Sequence, residues 1–156
     1  MENRQYVVFY QSPVGLLKLE ADTQGLCGVH RVAAPDGPQH PCPALEQAVT
    51  QLREYFAGQR RAFTVPLSLH GTPFQQKAWA ALCDIPYGET RSYGQQAAAL
   101  GNPKASRAVG MANHRNPVMI FVPCHRVVGA NGRLVGYAGG LDMKQALLEL
   151  EKKYSL

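Results

Sequence analysis

The sequence predicts an α+β fold, in which a small N-terminal α/β domain packs on a mainly helical C-terminal domain. Short β-branched and aromatic runs occupy the first 32 residues, whereas apolar side chains recur at helical spacing after residue 72. A chain of 156 residues has room for one moderate core or two small ones. We therefore expect two domains, residues 1–69 and residues 70–156.

Three strands and one helix are predicted for the first domain. The strands cover Tyr6–Tyr10, Leu16–Leu19 and Val29–Val32, with turn residues between them. The proline-rich residues 33–43 are predicted to form a surface loop. Apolar side chains at helical spacing then predict a helix over residues 44–56.

Two capping boxes mark the starts of helices in the second domain. In this motif a Ser or Thr and a Gln or Glu three residues later exchange hydrogen bonds with each other's backbone. Thr72 with Gln75 forms the first signature, and Ser92 with Gln95 forms the second. The first helix is predicted to end near residue 84 and to bury Phe74, Ala78, Ala81 and Leu82.

The helix that begins at Ser92 is predicted to end at Leu100, where Gly101 supplies a left-handed residue. A further helix is predicted to begin at once, at Asn102-Pro103. So short a connection matches a helix-turn-helix over about residues 92–113, a unit whose second helix usually enters a DNA groove. An ordinary αα-hairpin is the alternative interpretation.

Small side chains dominate the predicted outer face of that second helix. The residues predicted to be buried are Ala105, Ala108, Val109 and Ala112. Those predicted to face outward are Ser106, Arg107, Gly110 and Asn113. Such a face lets the backbone press against a narrow surface such as a DNA minor groove, and a solvated surface is the alternative. Positive charge would come from Lys104, Arg107, His114 and Arg115.

The composition indicates a basic protein without a membrane segment. The formal net charge of +5 favours a polyanionic partner. No apolar run approaches the roughly 20 residues that cross a bilayer, and residues 1–5 lack the apolar core of a signal peptide. We therefore expect a cytoplasmic location. The irregularly spaced Cys27, Cys42, Cys83 and Cys124 are predicted to be reduced thiols.

Cys124 is the candidate nucleophile because the apolar run of residues 117–122, a buried strand or extended segment, ends beside it. A free thiol, with a pKa of about 8.5, is only a few per cent ionised at neutral pH, so a nearby base or cation is required. His125 and Arg126 are the local candidates. An inert buried cysteine is the alternative, which we assign to the other three cysteines.

Two further features concern the surroundings of Cys124 and the possibility of a metal. Asn131-Gly132 predicts a small hairpin that joins residues 126–128 to residues 134–135. Cys27, His30 and Cys42 have ligand-like spacing, but no second compact pair completes four ligands. We therefore expect no metal and no cofactor.

The motif Pro123-Cys124-His125-Arg126-Val127-Val128, between Asn116-Pro117 and Gly136-Tyr137-Ala138-Gly139-Gly140, resembles the signature of O6-alkylguanine-DNA alkyltransferases. The similarity covers residues 74–151 and includes Pro86-Tyr87-Gly88-Glu89 and the stretch 102–110. It implies a ribonuclease H-like N-terminal domain and minor-groove binding through the helix-turn-helix. It also implies that an O6-alkylguanine, with O4-alkylthymine as a further candidate, is flipped from double-stranded DNA and loses its alkyl group irreversibly to Cys124.

The resemblance also implies roles for residues. Glu151 would orient His125, which takes the Cys124 proton through a water; Tyr93 would give a proton to the leaving guanine, and Asn116 would tie this relay to the helix-turn-helix. The implied DNA contacts are Lys104, Ala105, Ser106, Arg107, Gly110, Asn113 and Arg115, with Arg107 filling the stack of the flipped base. The implied base pocket consists of Met119, Val127, Tyr137, Ala138 and Gly139.

Other functions fit parts of the pattern. A non-repairing alkyltransferase-like protein would bind the lesion, but such proteins replace the reactive cysteine that Cys124 provides here. A transcription regulator would also use a helix-turn-helix, and a cysteine hydrolase would also place Cys beside His. We expect a monomer, with cooperative assembly on DNA and the preferred alkyl size left open.

Overall fold

The computed structural model describes residues 5–155, so the outermost residues of the two predicted domains, 1–4 and 156, lie outside the described residues. The chain divides into two compact units between residues 70 and 71. Helices and small sheets both occur, which confirms the predicted α+β class. In the described part of the chain, no helix is both long and apolar enough to pass through a bilayer.

The first unit is an antiparallel sheet with one helix against it. Its strands are β1 (Tyr6–Ser12), β2 (Gly15–Ala21) and β3 (Leu26–Arg31), in the order β1-β2-β3, and its helix is α1 (Pro43–Phe56). Leu19 pairs with a valine on each side and is fully buried, because alternate residues of β2 face α1. The three strands, the helix and the intervening loop are confirmed.

Asp22 organises the turn that follows β2. One carboxylate oxygen accepts the backbone N–H groups of Gln24 and Gly25 at 2.8 and 3.1 Å. The other accepts the hydroxyl of Ser68 at 2.6 Å and lies 3.1 Å from Nε2 of His70. Burial alone would raise the pKa of Asp22, but these hydrogen bonds outweigh it and lower the pKa to about 2.

The second unit is mainly helical. Its elements are α2 (Pro73–Cys83), β4 (Arg91–Ser92), α3 (Tyr93–Ala99), α4 (Ser106–His114), β5 (Val127–Val128) and α5 (Leu141–Tyr154). Both predicted capping boxes form, at Thr72 with Gln75 and at Ser92 with Gln95. The two short strands pair in parallel.

Three details of the predicted helices are wrong. Phe74, predicted to be buried, is 38% exposed, whereas Trp79, which was not predicted to be buried, is only 1% exposed. The helix after Gly101 begins at Ser106 rather than at residue 102, because residues 102–105 first make a turn closed by the Ala105 N–H on the Asn102 carbonyl. Ala108, predicted to be buried, is exposed.

The predicted hairpin is also wrong in its second strand. Val127–Val128 pairs with β4, whereas residues 134 and 135 belong to no strand. The turn itself forms, since the Gly129 N–H donates to the Arg133 carbonyl at 2.8 Å and Gly132 has a left-handed φ of +81°. Residues 118–122 are buried as predicted, but a turn at Ile120 prevents a regular strand.

Candidate active site

Cys124 opens a single turn of 3-10 helix, residues 124–126, directly after the buried segment. It is 7% exposed, and its Sγ accepts a hydrogen bond from Nδ2 of Asn116 at 3.2 Å. The same Asn116 amide donates to the Val122 carbonyl, and its Oδ1 accepts the Val118 N–H. Asn116 therefore fixes both the sulfur and the backbone that carries it.

The Cys124 thiol is protonated at rest. Burial raises its pKa to about 11, and the Asn116 hydrogen bond and the charge of Lys144 offset only part of that effect. Ionisation therefore requires a base that takes the proton as the thiol reacts. The predicted stabilising cation, Arg126, makes its contacts elsewhere.

His125 and Glu151 form a hydrogen-bonded pair in the interior. Nε2 of His125 lies 2.7 Å from Oε2 of Glu151, and neither side chain is more than 1% exposed. Burial alone would raise the pKa of Glu151, but the partners His125 and Arg126 lower it to about 2, so Glu151 is a carboxylate. Burial lowers the pKa of His125, which is therefore neutral and donates through Nε2–H.

This tautomer leaves Nδ1 of His125 as an acceptor. Nδ1 is buried and has no hydrogen-bond partner within residues 5–155. A neutral imidazole nitrogen held in one orientation by a carboxylate is the arrangement of a general base. The structure thus joins His125 and Glu151 in a pair that could take a proton.

Arg126 is the permanent charge partner of Glu151. Its Nε donates to Oε1 of Glu151 at 2.8 Å and its Nη2 to Oε2 at 3.0 Å, while Nη1 donates to the Ile85 carbonyl at 2.7 Å. Its guanidinium also lies 5.7 Å from the centre of the Tyr87 ring. The predicted role beside the thiol is therefore wrong, because Arg126 uses its donors on Glu151 and on the backbone.

A cavity of about 80 Å³ adjoins Cys124. It is lined by Tyr93, Gly110, Asn113, His114, Cys124, Gly136, Tyr137 and Ala138. The hydroxyl of Tyr93 donates to the Val135 carbonyl at 3.0 Å, and the hydroxyl of Tyr137 is buried without a partner in the described chain.

Lys144 of α5 is a site residue that the sequence reasoning missed. It is fully buried, and its ammonium donates to the carbonyls of Val135 and Gly136 at 2.9 and 3.2 Å. It also lies 5.9 Å from the centre of the Tyr93 ring. Lys144 therefore holds the backbone at the cavity wall and places a positive charge near the thiol. No sequence motif distinguishes Lys144 from Lys152 and Lys153, which are exposed near the end of the same helix.

The other predicted pocket residues occupy different depths. Tyr137 and Ala138 reach the cavity, whereas Val127 is fully buried in β5. Gly139 packs so closely that an added Cβ would lie 2.7 Å from Sδ of Met143 and 3.4 Å from Cε of Met119. Gly139 therefore lets Met119 and the 137–139 backbone approach each other.

A larger open groove of about 610 Å³ runs along α4. It is lined by Tyr93, Ser106, Arg107, Gly110, Met111, His114 and Arg115. Lys104 is exposed and Ala105 half-buried in the turn before the helix. Asn113, predicted to face outward, is instead 6% exposed, because its amide pairs with that of Gln96.

The groove and the cavity share residues, so the basic surface leads to the sulfur. Tyr93, Gly110 and His114 line both spaces.

Within residues 5–155, no group of three or more His, Cys, Asp or Glu side chains is arranged so that it could bind a metal ion.

Two family models match the chain. The model described as "6-O-methylguanine DNA methyltransferase, DNA binding domain" matches residues 73–153, and the model described as its "ribonuclease-like domain" matches residues 6–69. The methylated-DNA–protein-cysteine methyltransferase of Methanosarcina acetivorans is 50% identical over 152 residues, which cover 94% of this chain and 97% of that protein.

Solved structures agree with these matches. The crystal structure of the Mycobacterium tuberculosis O6-methylguanine methyltransferase has a TM-score of 0.86 at 49% identity, covering 96% of this chain and 93% of that one. The Mycobacterium tuberculosis OGT in complex with DNA gives the same score and identity, over 94% of this chain and 92% of that one.

Proposed function

Because the chain belongs to the 6-O-methylguanine DNA methyltransferase family, we propose that Cys124 is the residue that takes the alkyl group from DNA. The chain is a methylated-DNA–protein-cysteine methyltransferase, and its activity is DNA repair by alkyl transfer. One observation carries the assignment of Cys124. It lies between the hydrogen-bonded residues His125 and Glu151, which can take its proton, and a cavity that opens toward the basic helix α4.

Double-stranded DNA binds along the outer face of α4, in the minor groove. The small residues Ser106 and Gly110 let the helix backbone approach a narrow groove, and Arg107 and Arg115 meet the phosphates or the bases. Lys104 adds charge at the start of the helix, and Ala105 adds another small side chain. Asn113 acts from inside the protein rather than on DNA.

The damaged base leaves the duplex to reach the sulfur, since chemistry at a base edge requires extrusion from the stack. Arg107 is exposed at the first turn of α4, where its planar guanidinium can stack in the place that the base leaves. The base enters the cavity beside Tyr93, whose hydroxyl donates to the Val135 carbonyl at its wall.

The transfer is an in-line displacement. A water passes the Cys124 proton to Nδ1 of His125, and the thiolate electron pair forms a C–S bond at the alkyl carbon. The C–O bond to guanine breaks as the C–S bond forms. Glu151 stabilises the resulting imidazolium through the hydrogen bond at Nε2. Asn116 and Lys144 stabilise the thiolate before it attacks.

The leaving guanine departs as an anion and needs a proton. Tyr93 is placed at the cavity and offers its hydroxyl proton, which the proton taken up by His125 then replaces by way of water. The Val127 carbonyl reads the guanine amino group, the Ala138 N–H donates to O6, and Tyr137, Met119 and Gly139 complete the pocket. O6-alkylguanine is the substrate that we propose, and O4-alkylthymine is a further candidate.

The product is a stable thioether, so each molecule repairs one lesion. The chain acts as a monomer and requires no cofactor. DNA binding and transfer belong to the domain of residues 70–156, and we assign a supporting role to residues 1–69.

The test uses duplex DNA that carries one O6-methylguanine. Peptide mass spectrometry should place one added methyl group on Cys124, with normal guanine left in the DNA. Cys124→Ser should bind the same duplex and leave it unrepaired, whereas Cys83→Ser, at an exposed cysteine, should repair it normally. A methyl group on any other residue, or none, would refute the assignment.

A further inference from the structure

Gln96 of α3 and Asn113 of α4 form a buried pair of side-chain amides. Nε2 of Gln96 donates to Oδ1 of Asn113 at 3.0 Å, and Nδ2 of Asn113 donates to Oε1 of Gln96 at 2.7 Å. The two residues are 3% and 6% exposed. Burying polar groups is costly unless both bonds are kept, so the pair allows one relative placement of the two helices.

Further hydrogen bonds tie the same helices to α2. Nε2 of Gln96 also donates to the Ala78 carbonyl at 3.2 Å. The indole N–H of Trp79, the next residue, donates to the Ala112 carbonyl at 2.8 Å. The segment of α4 that precedes the active site is therefore fixed from two directions.

Asn113 is also next to the reacting sulfur. It lines the cavity beside Cys124, and its carbonyl accepts the Asn116 N–H at 3.2 Å. Asn116 in turn donates its side-chain amide to Sγ of Cys124 at 3.2 Å. Hydrogen bonds thus link Gln96 to Asn113, Asn113 to Asn116, and Asn116 to the sulfur.

We propose that the Gln96–Asn113 pair is a positioning device that sets the place of the DNA-binding helix α4 relative to Sγ of Cys124. A base delivered by DNA on α4 then arrives in line with the sulfur. A free base reaches the cavity without being carried there by DNA bound to α4, so its transfer depends less on this placement. The inference rests on the proposed function, since it concerns the delivery of a base from DNA.

The test compares two substrates in one variant. Gln96→Leu removes the bonds to Asn113 and to the Ala78 carbonyl at a residue outside the cavity lining, so the wall beside Cys124 keeps its own side chains. Single-turnover transfer from duplex O6-methylguanine should fall about 10- to 100-fold, because small misplacements at a reacting centre have effects of that size. Transfer from free O6-methylguanine base, at matched occupancy, should stay within about twofold, since positioning by α4 is the only step removed.

The proposal would be overturned if the variant transferred from both substrates as fast as wild type, or if transfer from both substrates fell by the same factor. A purely structural role would affect both substrates alike. If Gln96→Leu does not fold, Gln96→Met, which keeps the length of the side chain but lacks the amide, is expected to show the same selective loss on duplex. A wild-type protein that repairs neither substrate would instead refute the proposed function. A wild type active on both, with variants equally active, refutes only the role of the pair.

Discussion

The Nε2–H of His125 donates to the carboxylate of Glu151 at 2.7 Å, across 26 positions of the chain and in a site where neither side chain is exposed. The carboxylate selects one tautomer of the imidazole and leaves Nδ1 as the nitrogen that can accept a proton. Because the pKa of the thiol is about 11, very little thiolate is present at neutral pH, and ionisation of Cys124 depends on this acceptor.

Glu151→Gln is expected to slow alkyl transfer by about 100-fold, because it removes the charge that stabilises protonated His125. It also leaves Arg126 buried without its carboxylate, which should cost up to about 3–5 kcal/mol of unfolding free energy. Single-turnover transfer and urea unfolding measure the two effects. The control is Glu149→Gln, at an exposed residue of the same helix, which should change neither. Unaltered transfer in Glu151→Gln would contradict the role of the pair.

Local signals in the sequence were sufficient for some of these features and not for others. The capping boxes at Thr72 and Ser92 were predictable, because their bonds join residues three positions apart. The pairing of Glu151 with His125 was predicted only from the family resemblance, and the contacts of Lys144 were not predicted at all, since both depend on where α5 packs against distant segments. The orientation of Asn113 was missed because helical periodicity alone cannot reveal its buried polar partner, Gln96.

Lys144→Met should make Cys124 less reactive. The lysine charge lowers the thiol pKa against the larger effect of burial, so its loss raises the pKa above about 11 and reduces the thiolate fraction at every pH below that value. The rate of Cys124 carbamidomethylation by iodoacetamide between pH 7 and 9, followed by mass spectrometry, should fall several-fold.

Lys152→Met, at an exposed position of α5, serves as the control for charge and should leave the reaction unchanged. Lys144→Arg keeps the positive charge and should retain more of the reactivity than Lys144→Met. If the methionine variant reacts as fast as wild type, Lys144 acts only on the backbone of residues 135 and 136.

Asp22→Asn should destabilise the first unit in a pH-dependent way. The pKa of about 2 lies below the ordinary 3.8, so the folded state favours the carboxylate; this stabilisation is present above pH 3.8 and disappears as the pH falls toward 2. Loss of the charge-assisted hydrogen bonds should cost about 1–2 kcal/mol at pH 7. Urea unfolding at pH 7 and pH 3 should show a smaller difference from wild type at pH 3. A difference independent of pH would show that the charge is unimportant.

Gly110→Ala separates helix stability from DNA binding. The added Cβ would lie 3.7 Å from the Tyr93 ring, an ordinary contact, and alanine favours a helix over glycine by about 1 kcal/mol, so thermal stability should rise. The methyl group would nevertheless project into the groove along α4, where we propose that DNA binds, and should weaken duplex binding, measured by fluorescence anisotropy at fixed salt. Gly94→Ala in α3 is the matched control, since its Cβ also meets only ordinary contacts. A Gly110→Ala protein that binds duplex as tightly as wild type would show that this face of α4 does not approach DNA closely.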